Sequence, residues 1–148
     1  LEQLDQADLV IVPTIGGKLE TVLAQEQDVL PWLRFLHQGG ADLASNCTGA
    51  FLLAEAGLLD GKTATTHWGF SQQFRHHYPQ VKLNERELIT RDGNIFCAGG
   101  GTAWRDLTIL LVERYCGART TRYRPSRRGF MSTTRRAPVL VSWQKWFT

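Results

Sequence analysis

A cysteine followed two residues later by a glycine is the feature of this chain that most directly indicates chemistry. Cys47 and Gly49 lie between a short apolar run, residues 41–44, and a longer one, residues 51–59. This order is typical of a nucleophile elbow, in which a sharp strand-to-helix turn presents a reactive side chain and a glycine allows close packing. A helix amino terminus favours negative charge and therefore a thiolate. The alternative is a buried structural cysteine at the end of a strand.

Four further residues follow predicted strands and are candidates for the same site. Gly16 and Gly17 come after the apolar run 9–12, Thr48 is next to Cys47, and His67 follows the β-branched run 63–66. Ligands of open α/β sheets bind outside the carboxyl ends of the strands. The N–H groups of Gly17 and Thr48 could cradle an anion, as an oxyanion hole or a carboxylate seat. We predict all five as ligand-binding residues, although two glycines alone also fit a simple turn.

Catalysis by a nucleophile requires a base within hydrogen-bond reach and a group that orients the base. His67 is the one candidate base, and the sequence offers no third group. The other three histidines fall at predicted helix ends, at positions 37, 76 and 77. We see no convergent set of metal ligands. We therefore expect no catalytic residues, with Cys47 and His67 as vestigial candidates, and neither metal nor cofactor.

The elements that must position these residues alternate between strands and helices, which predicts an α/β domain with a mostly parallel sheet. Strands are predicted at 9–12, 41–45, 63–66, 81–90 and 94–98, the last two joined by a hairpin turn at Asp92-Gly93, and helices at 22–37, 50–59, 70–77 and 103–116. Pro31 is placed to split the first helix. Such a sheet normally has more strands, so we expect the first strand-helix portion to be missing.

Composition places the 148 residues in one domain, with 43% hydrophobic and 21% charged residues, as in soluble proteins. No apolar run has membrane-spanning length and no signal peptide opens the chain. Three widely spaced cysteines indicate no disulfide framework, which favours the cytoplasm. Cys97 and Cys116 lie in apolar runs and are predicted in the core.

Charge is distributed unevenly along the chain. Residues 1–113 hold all 14 acidic residues and 8 of the 17 Lys and Arg, whereas residues 114–148 hold the other 9 and no acid. The carboxyl-terminal part therefore carries +9. Such asymmetry is typical of a basic segment that meets nucleic acid, and equally of a solvated Arg-rich linker.

The segment 47–62, CTGAFLLAEAGLLDGK, and the following TTHW at 65–68 resemble class I glutamine amidotransferase-like domains of the PfpI type. The resemblance is strongest to the subgroup fused to AraC-family transcription regulators. It extends over about residues 8–129, and further similar segments are GGG at 99–101, DL at 106–107, LVER at 111–114, PSRRG at 125–129 and WQKW at 143–146.

The resemblance implies a flavodoxin-like three-layer α/β/α sandwich that lacks its first strand-helix portion. It implies a ligand-sensing domain at 1–125, an Arg-rich linker at 126–138 and the start of a truncated helix-turn-helix domain at 139–148. The sensing domain would bind a small amino-acid-like or quaternary-ammonium metabolite. The protein would form a homodimer in the cytoplasm, bind DNA through a carboxyl-terminal domain outside this chain, and make no membrane contact.

Two departures from the enzymatic relatives favour a non-enzyme. Thr48 stands where PfpI-type enzymes carry a histidine, and no His-x-Glu follows the late strand that ends at Ala98. In some relatives a Glu from the absent first portion contacts the cysteine, which pairs with a histidine at the position of His67. The alternatives are a PfpI-type cysteine hydrolase, amidase or glyoxalase-type enzyme that uses Cys47 and His67, and a catalytically dead scaffold that only dimerises.

Overall fold

The computed structural model describes residues 6–16 and 18–117. The strands are β1 Leu9–Val12, β2 Asp42–Asn46, β3 Thr63–Ala64, β4 Lys82–Leu83, β5 Ile89–Asp92 and β6 Ile95–Ala98. The helices are α1 Leu19–Gln25, α2 Val29–Gln38, α3 Ala50–Glu55, α4 Ser71–His77 and α5 Ala103–Cys116, with short 3-10 turns at Cys47–Gly49 and Trp68–Phe70.

The main sheet has the strand order β1-β2-β6-β5, in which β1, β2 and β6 are parallel and β5 is antiparallel to β6. A small second sheet pairs β3 with β4 in parallel. The parallel register places Val12 beside Ser45 and Asn46 beside Ala98. The carboxyl ends of three neighbouring strands therefore meet at one edge of the sheet.

Helices cover both faces of the main sheet. β1 and β6 are apolar along their whole length and almost wholly buried, as expected for parallel strands covered on both faces. One face packs against α1 to α4 through the larger core, and the other packs against α5 through a smaller one. This arrangement confirms the predicted flavodoxin-like, mostly parallel α/β fold.

Several predicted elements are shorter than the sequence pattern indicated. The helix predicted at 22–37 is two helices, and the break falls at residues 26–28. Pro31 lies in the first turn of α2, where a missing N–H costs no hydrogen bond. The helix predicted at 50–59 ends at Glu55, and the strand predicted at 63–66 spans only Thr63–Ala64. The strand predicted at 81–90 is really two, because β4 leaves the hairpin to pair with β3.

The hairpin at Asp92-Gly93 and the helix at 103–116 are confirmed. Cys97 is buried as predicted, but Cys116 is exposed, so its prediction as a core residue was wrong. Leu107 and Leu111 mark the buried stripe of α5, and the next position on that stripe is Tyr115. Cys116 lies one residue, about 100°, further round the helix.

An ionic cluster joins the end of α5 to the amino ends of the strands. Arg114 donates to both carboxylate oxygens of Asp42, with 2.7 Å between Nη2 and Oδ1, and its Nε bonds Oδ2. The Tyr115 hydroxyl lies 2.8 Å from the carbonyl oxygen of Asp8 and 2.5 Å from Asp42 Oδ2. We call Asp42, Arg114 and Tyr115 the clasp. The clasp fixes the last turn of α5 to the start of β1 and β2.

None of the helices among the described residues combines the length and the apolar character needed to cross a membrane.

Candidate functional site

Cys47 begins the turn between β2 and α3. Its φ is +55°, and it is the one non-glycine residue with a positive φ among residues 6–16 and 18–117. A left-handed backbone at such a residue costs of order 1–3 kcal/mol and persists only where the surroundings impose it. The side chain is partly exposed. These features confirm the predicted strand-to-helix turn with a strained cysteine.

Gly49 is required here for a reason that the sequence did not indicate. A Cβ at Gly49 would lie 2.4 Å from the carbonyl oxygen of Pro13 and 2.6 Å from that of Val12. The expected role was close packing of the helix on its own turn. The close approach is instead to the end of β1. Gly49 therefore lets the loop after β1 lie directly against the Cys47 turn.

Thr48 holds that loop with its side chain. Its hydroxyl accepts from the N–H of Ile15 at 3.1 Å and donates to the carbonyl of Ile15 at 2.8 Å. Asn46 adds a bond from Nδ2 to the hydroxyl of Thr14 at 3.1 Å. Thr48 is buried, and these two bonds leave its hydroxyl unavailable to a ligand. Gly16 is exposed beside this loop, and Gly17 lies outside the described residues.

His67 and Cys47 both lie against Gly100. A Cβ at Gly100 would come within 2.8 Å of His67 Cδ2 and 3.2 Å of Cys47 Sγ. Thr66 strengthens this arrangement by donating from its hydroxyl to the carbonyl of Cys47 at 2.9 Å. Within the described part of the chain, no hydrogen bond joins the imidazole to the sulfur. The two predicted residues are therefore neighbours, and their pairing as base and nucleophile stays a prediction.

Sequence reasoning missed Gly100 as a site residue. Its φ of +92° and its position between two side chains both require glycine. The signal was present in the run of three glycines at 99–101, which indicated only a tight crossing from strand to helix.

The protonation of the His67 ring follows from its local contact. Nδ1 accepts a hydrogen bond from the N–H of Gly69 at 3.1 Å. A ring nitrogen that accepts cannot also carry a proton, so the neutral imidazole is protonated at Nε2. Nε2 is bonded to Cδ2, the ring atom that lies against Gly100. The neutral ring therefore has its donor at Nε2, and a donor suits an anionic oxygen better than the removal of a proton.

Large apolar side chains are exposed next to the site residues. Trp68 follows His67 directly and is 76% exposed, and Trp104 lies in the first turn of α5 and is 50% exposed. Leu88 is 64% exposed, and its carbonyl accepts from the N–H of Gly99 at 2.8 Å. The exposure of these three side chains near the site was not predicted, because they are far apart in the sequence.

Cys97 provides a contrast to Cys47. It is fully buried in β6, beside Ser45 of β2 and Thr90 of β5. Burial raises the pKa of its thiol. A buried neutral thiol is unreactive. Reactivity is therefore expected at Cys47 rather than at Cys97.

The described residues contain no group of three or more His, Cys, Asp or Glu placed to hold a metal ion. The expectation of a site without metal or cofactor stays a prediction.

Comparison with known proteins places this geometry in a family context. The HTH-type transcriptional regulator CdhR of Pseudomonas aeruginosa is 39% identical over 117 residues, which cover 79% of this chain and 34% of that protein. An isonitrile hydratase of Pseudomonas putida is 33% identical over 114 residues, covering 76% of this chain and 47% of the enzyme. This chain therefore spans between a third and a half of the length of these two relatives.

A solved structure agrees with the sequence relatives. A putative transcriptional regulator from Vibrio parahaemolyticus superposes with a TM-score of 0.74 at 28% identity, over 80% of this chain and 62% of that one. Drosophila melanogaster DJ-1beta shares the fold, with a TM-score of 0.63 at 21% identity, over 76% of this chain and 58% of that one. Residues 2–114 match the model of the DJ-1/PfpI family. The chain belongs to the DJ-1/PfpI family.

Proposed function

We propose that this chain is the ligand-sensing part of an AraC-type transcription regulator and that it binds a small effector beside Cys47. The observation that carries the proposal is the run of relatives named as HTH-type transcriptional regulators. Besides CdhR these include GbdR, 38% identical over 113 residues, and ArgR, 35% identical over 114, both of Pseudomonas aeruginosa. Each match covers about three quarters of this chain.

The chemistry of the site supports binding over catalysis. In the neutral ring of His67, the unprotonated Nδ1 is occupied by the N–H of Gly69, whereas a general base needs an unprotonated nitrogen that can reach the proton it removes. The hydroxyl of Thr48 is used to hold the loop after β1 and is not available to a substrate. Cys47 lies at a strained turn, but among the described residues no hydrogen bond joins its sulfur to the ring of His67. Such a site can still bind an anion tightly.

The same groups suggest the class of effector. The backbone N–H of Thr48, at the start of a helical turn, and Nε2–H of His67 are donors suited to a carboxylate. Trp68 is largely exposed, and an indole face attracts organic cations. A molecule with a carboxylate at one end and an ammonium at the other satisfies both. We propose an amino-acid-like or quaternary-ammonium metabolite, bound with Gly16, Gly17, Cys47, Thr48 and His67.

The remainder of the regulator is part of the proposal. Residues 1–125 would form the sensing domain, residues 126–138 an Arg-rich linker, and residues 139–148 the start of the DNA-binding domain. DNA would be bound specifically through a carboxyl-terminal domain outside this chain. The sensing domain would form a homodimer and act in the cytoplasm.

Titration calorimetry on the 148-residue protein tests the sensing function. The probes are a quaternary-ammonium carboxylate such as glycine betaine, a set of α-amino acids, and neutral compounds of matched size. We expect binding of at least one zwitterion and at least tenfold weaker binding in His67→Ala. His76→Ala is the matched control, because His76 is exposed at the far end of α4 and should leave affinity unchanged. A zwitterion that binds equally well to His67→Ala would contradict the site, and the absence of any binding would contradict the function.

A second function is favoured by one specific observation, the 33% identity to an isonitrile hydratase together with the strained Cys47 turn. On this alternative, Cys47 and His67 would act as a nucleophile-base pair in a PfpI-type hydrolase, amidase or glyoxalase-type enzyme. Turnover of an isonitrile, an amide, an ester and an α-oxoaldehyde is measured beside Cys47→Ala. We expect rates equal to that control. Rates well above it would make the enzyme the better proposal.

A further inference from the structure

Helix α5 connects the candidate site to the opposite end of the sheet. Its 14 residues span about 21 Å at 1.5 Å per residue. It begins just after the glycine run 99–101 and ends at Gly117, where the Arg-rich part of the chain follows. A single stiff element therefore runs from the candidate site to the last of the described residues.

At the site end, α5 is held through Gly100. The carbonyl of Gly100 accepts from the N–H of Ala103 at 3.1 Å, at the start of the helix. The space that a Cβ would take at Gly100 is already filled by His67 Cδ2 and Cys47 Sγ. A movement of either side chain toward this glycine must therefore displace the backbone that starts α5.

At the far end, the clasp holds the last turn of α5. Asp42 is buried and accepts from Arg114 and Tyr115, so the clasp has a defined geometry that a shifted helix would break. Between the ends, the buried residues of α5 are only Ala103, Leu107 and Leu111. Helices held by such a narrow apolar stripe can slide by small shear movements on a sheet.

We propose that Gly100 is a positioning residue that couples occupancy of the Cys47–His67 site to closure of the clasp. A ligand that binds between the side chains of Cys47 and His67 changes their contact with Gly100. Helix α5 then shifts as a unit, and the hydrogen bonds between the clasp residues change. This inference rests on the proposed sensing function, since it names how that site is read out. Coupling is reciprocal, so disturbing the clasp must also change the site.

Hydrogen exchange of the 148-residue protein, followed by mass spectrometry, tests the forward direction without any ligand. In Gly100→Ala, the added methyl group should shift α5, and the amides of residues 113–116 should exchange at least fivefold faster than in the unchanged protein. Gly101→Ala is the matched control, because Gly101 also has a positive φ, of +60°, yet nothing lies within 4 Å of an added Cβ there. Exchange in the first turns of α2, which packs on the opposite face of the main sheet from α5, is the internal reference.

A merely structural role for Gly100 would raise exchange throughout the protein, α2 included, and would contradict the proposal. Equal exchange of residues 113–116 in Gly100→Ala and Gly101→Ala would contradict it as well. Because no ligand is present, a negative result here leaves the calorimetric test of the sensing function unaffected, and a failed ligand titration leaves this test unaffected.

The reverse direction keeps the proposal testable if Gly100→Ala does not fold. Asp42→Asn removes the carboxylate charge of the clasp while keeping its shape. The alkylation rate of Cys47 by iodoacetamide, read by peptide mass spectrometry, should change at least fivefold, whereas Cys97 stays unmodified. An unchanged Cys47 rate in a folded Asp42→Asn protein would overturn the coupling.

Discussion

The two ends of strand β2 are built in opposite ways. At its amino end, Asp42 is 4% exposed and its carboxylate is bonded by Arg114 and Tyr115. At its carboxyl end, the chain enters Cys47 with φ at +55°, and Asn46 Oδ1 is buried without a hydrogen-bond partner among the described residues. Cys47 lies only five positions after Asp42, so the hydrogen-bonded end and the strained end are close in the sequence.

The amino end of β2 therefore mainly stabilises the fold, and its carboxyl end is kept for a ligand. A buried polar group without a partner and a left-handed non-glycine residue both cost free energy, and they cluster where function requires them. No residue of the clasp has a left-handed backbone, and its carboxylate is bonded at both oxygens. We therefore expect substitutions at the Asp42 end to act mainly on stability, and substitutions at the Cys47 side chain to act mainly on binding.

The largest effect is expected from Asp42→Ala, which leaves the buried part of the Arg114 guanidinium without its carboxylate. Breaking such a pair from one side costs about 3 kcal/mol in the free energy of unfolding. Urea unfolding followed by circular dichroism measures it. Asp60→Ala is the control, because Asp60 is exposed and its removal should change stability by less than about 0.5 kcal/mol. A loss at Asp42 no larger than at Asp60 would break the comparison between the two ends.

Gly49→Ala should show that the backbone at the carboxyl end of β2 is tightly packed, although the side chains at that end are kept for a ligand. The new methyl group would meet the carbonyl oxygens of Val12 and Pro13, and overpacking of this kind costs about 2 kcal/mol. Gly16→Ala is the matched glycine control, since nothing lies within 4 Å of its added Cβ. Thermal unfolding of both variants decides the point, and equal midpoints would show that the loop after β1 can move away freely.

The sequence was sufficient for features that depend on neighbouring residues. The Cys47 turn follows from a strand, a cysteine, a glycine and a helix in order, and α5 and the Asp92-Gly93 hairpin are equally local. The division of the strand predicted at 81–90 was missed because the pairing of β4 with β3 depends on a partner about 20 residues away. Local pattern could not reveal that choice of partner.

For the same reason, the sequence could not predict which distant residues meet at the site. Gly100 meets Cys47 and His67 only after the sheet brings three distant segments together. The clasp joins residues 72 and 73 positions apart, and no periodicity marks Asp42 as the partner of Arg114. Likewise, the hydrogen bonds of the Thr48 hydroxyl to Ile15 could not be read from the residues, and the sequence suggested a role only for the Thr48 N–H.

Comparing two substitutions of one residue isolates the strain at the carboxyl end. Cys47→Ala removes the thiol and keeps the cost of a positive φ, whereas Cys47→Gly removes both. The glycine variant should therefore be more stable than the alanine variant by about 1 kcal/mol, the reverse of their usual order at the start of a helix. Urea unfolding of the two proteins measures the difference. An alanine variant of equal or greater stability would show that the turn is not strained.

The smallest effect at neutral pH is expected from Tyr115→Phe, which removes one hydroxyl from the clasp and costs about 1 kcal/mol.

The pH dependence of stability sharpens the comparison. Burial, reinforced by Asp42, raises the pKa of Tyr115 above the ordinary value of about 10. The folded protein then keeps a proton that the unfolded chain has lost, so stability is complete below pH of about 10 and falls as pH rises toward the folded pKa. Burial also raises the pKa of Tyr78, on the other face of the sheet. The free energy of unfolding, measured from pH 8 to 11, should decline less steeply in Tyr115→Phe and in Tyr78→Phe than in the unchanged protein. If Tyr115→Phe keeps the full decline, its hydroxyl is not held by the clasp, and the amino end of β2 is less rigid than its contacts indicate.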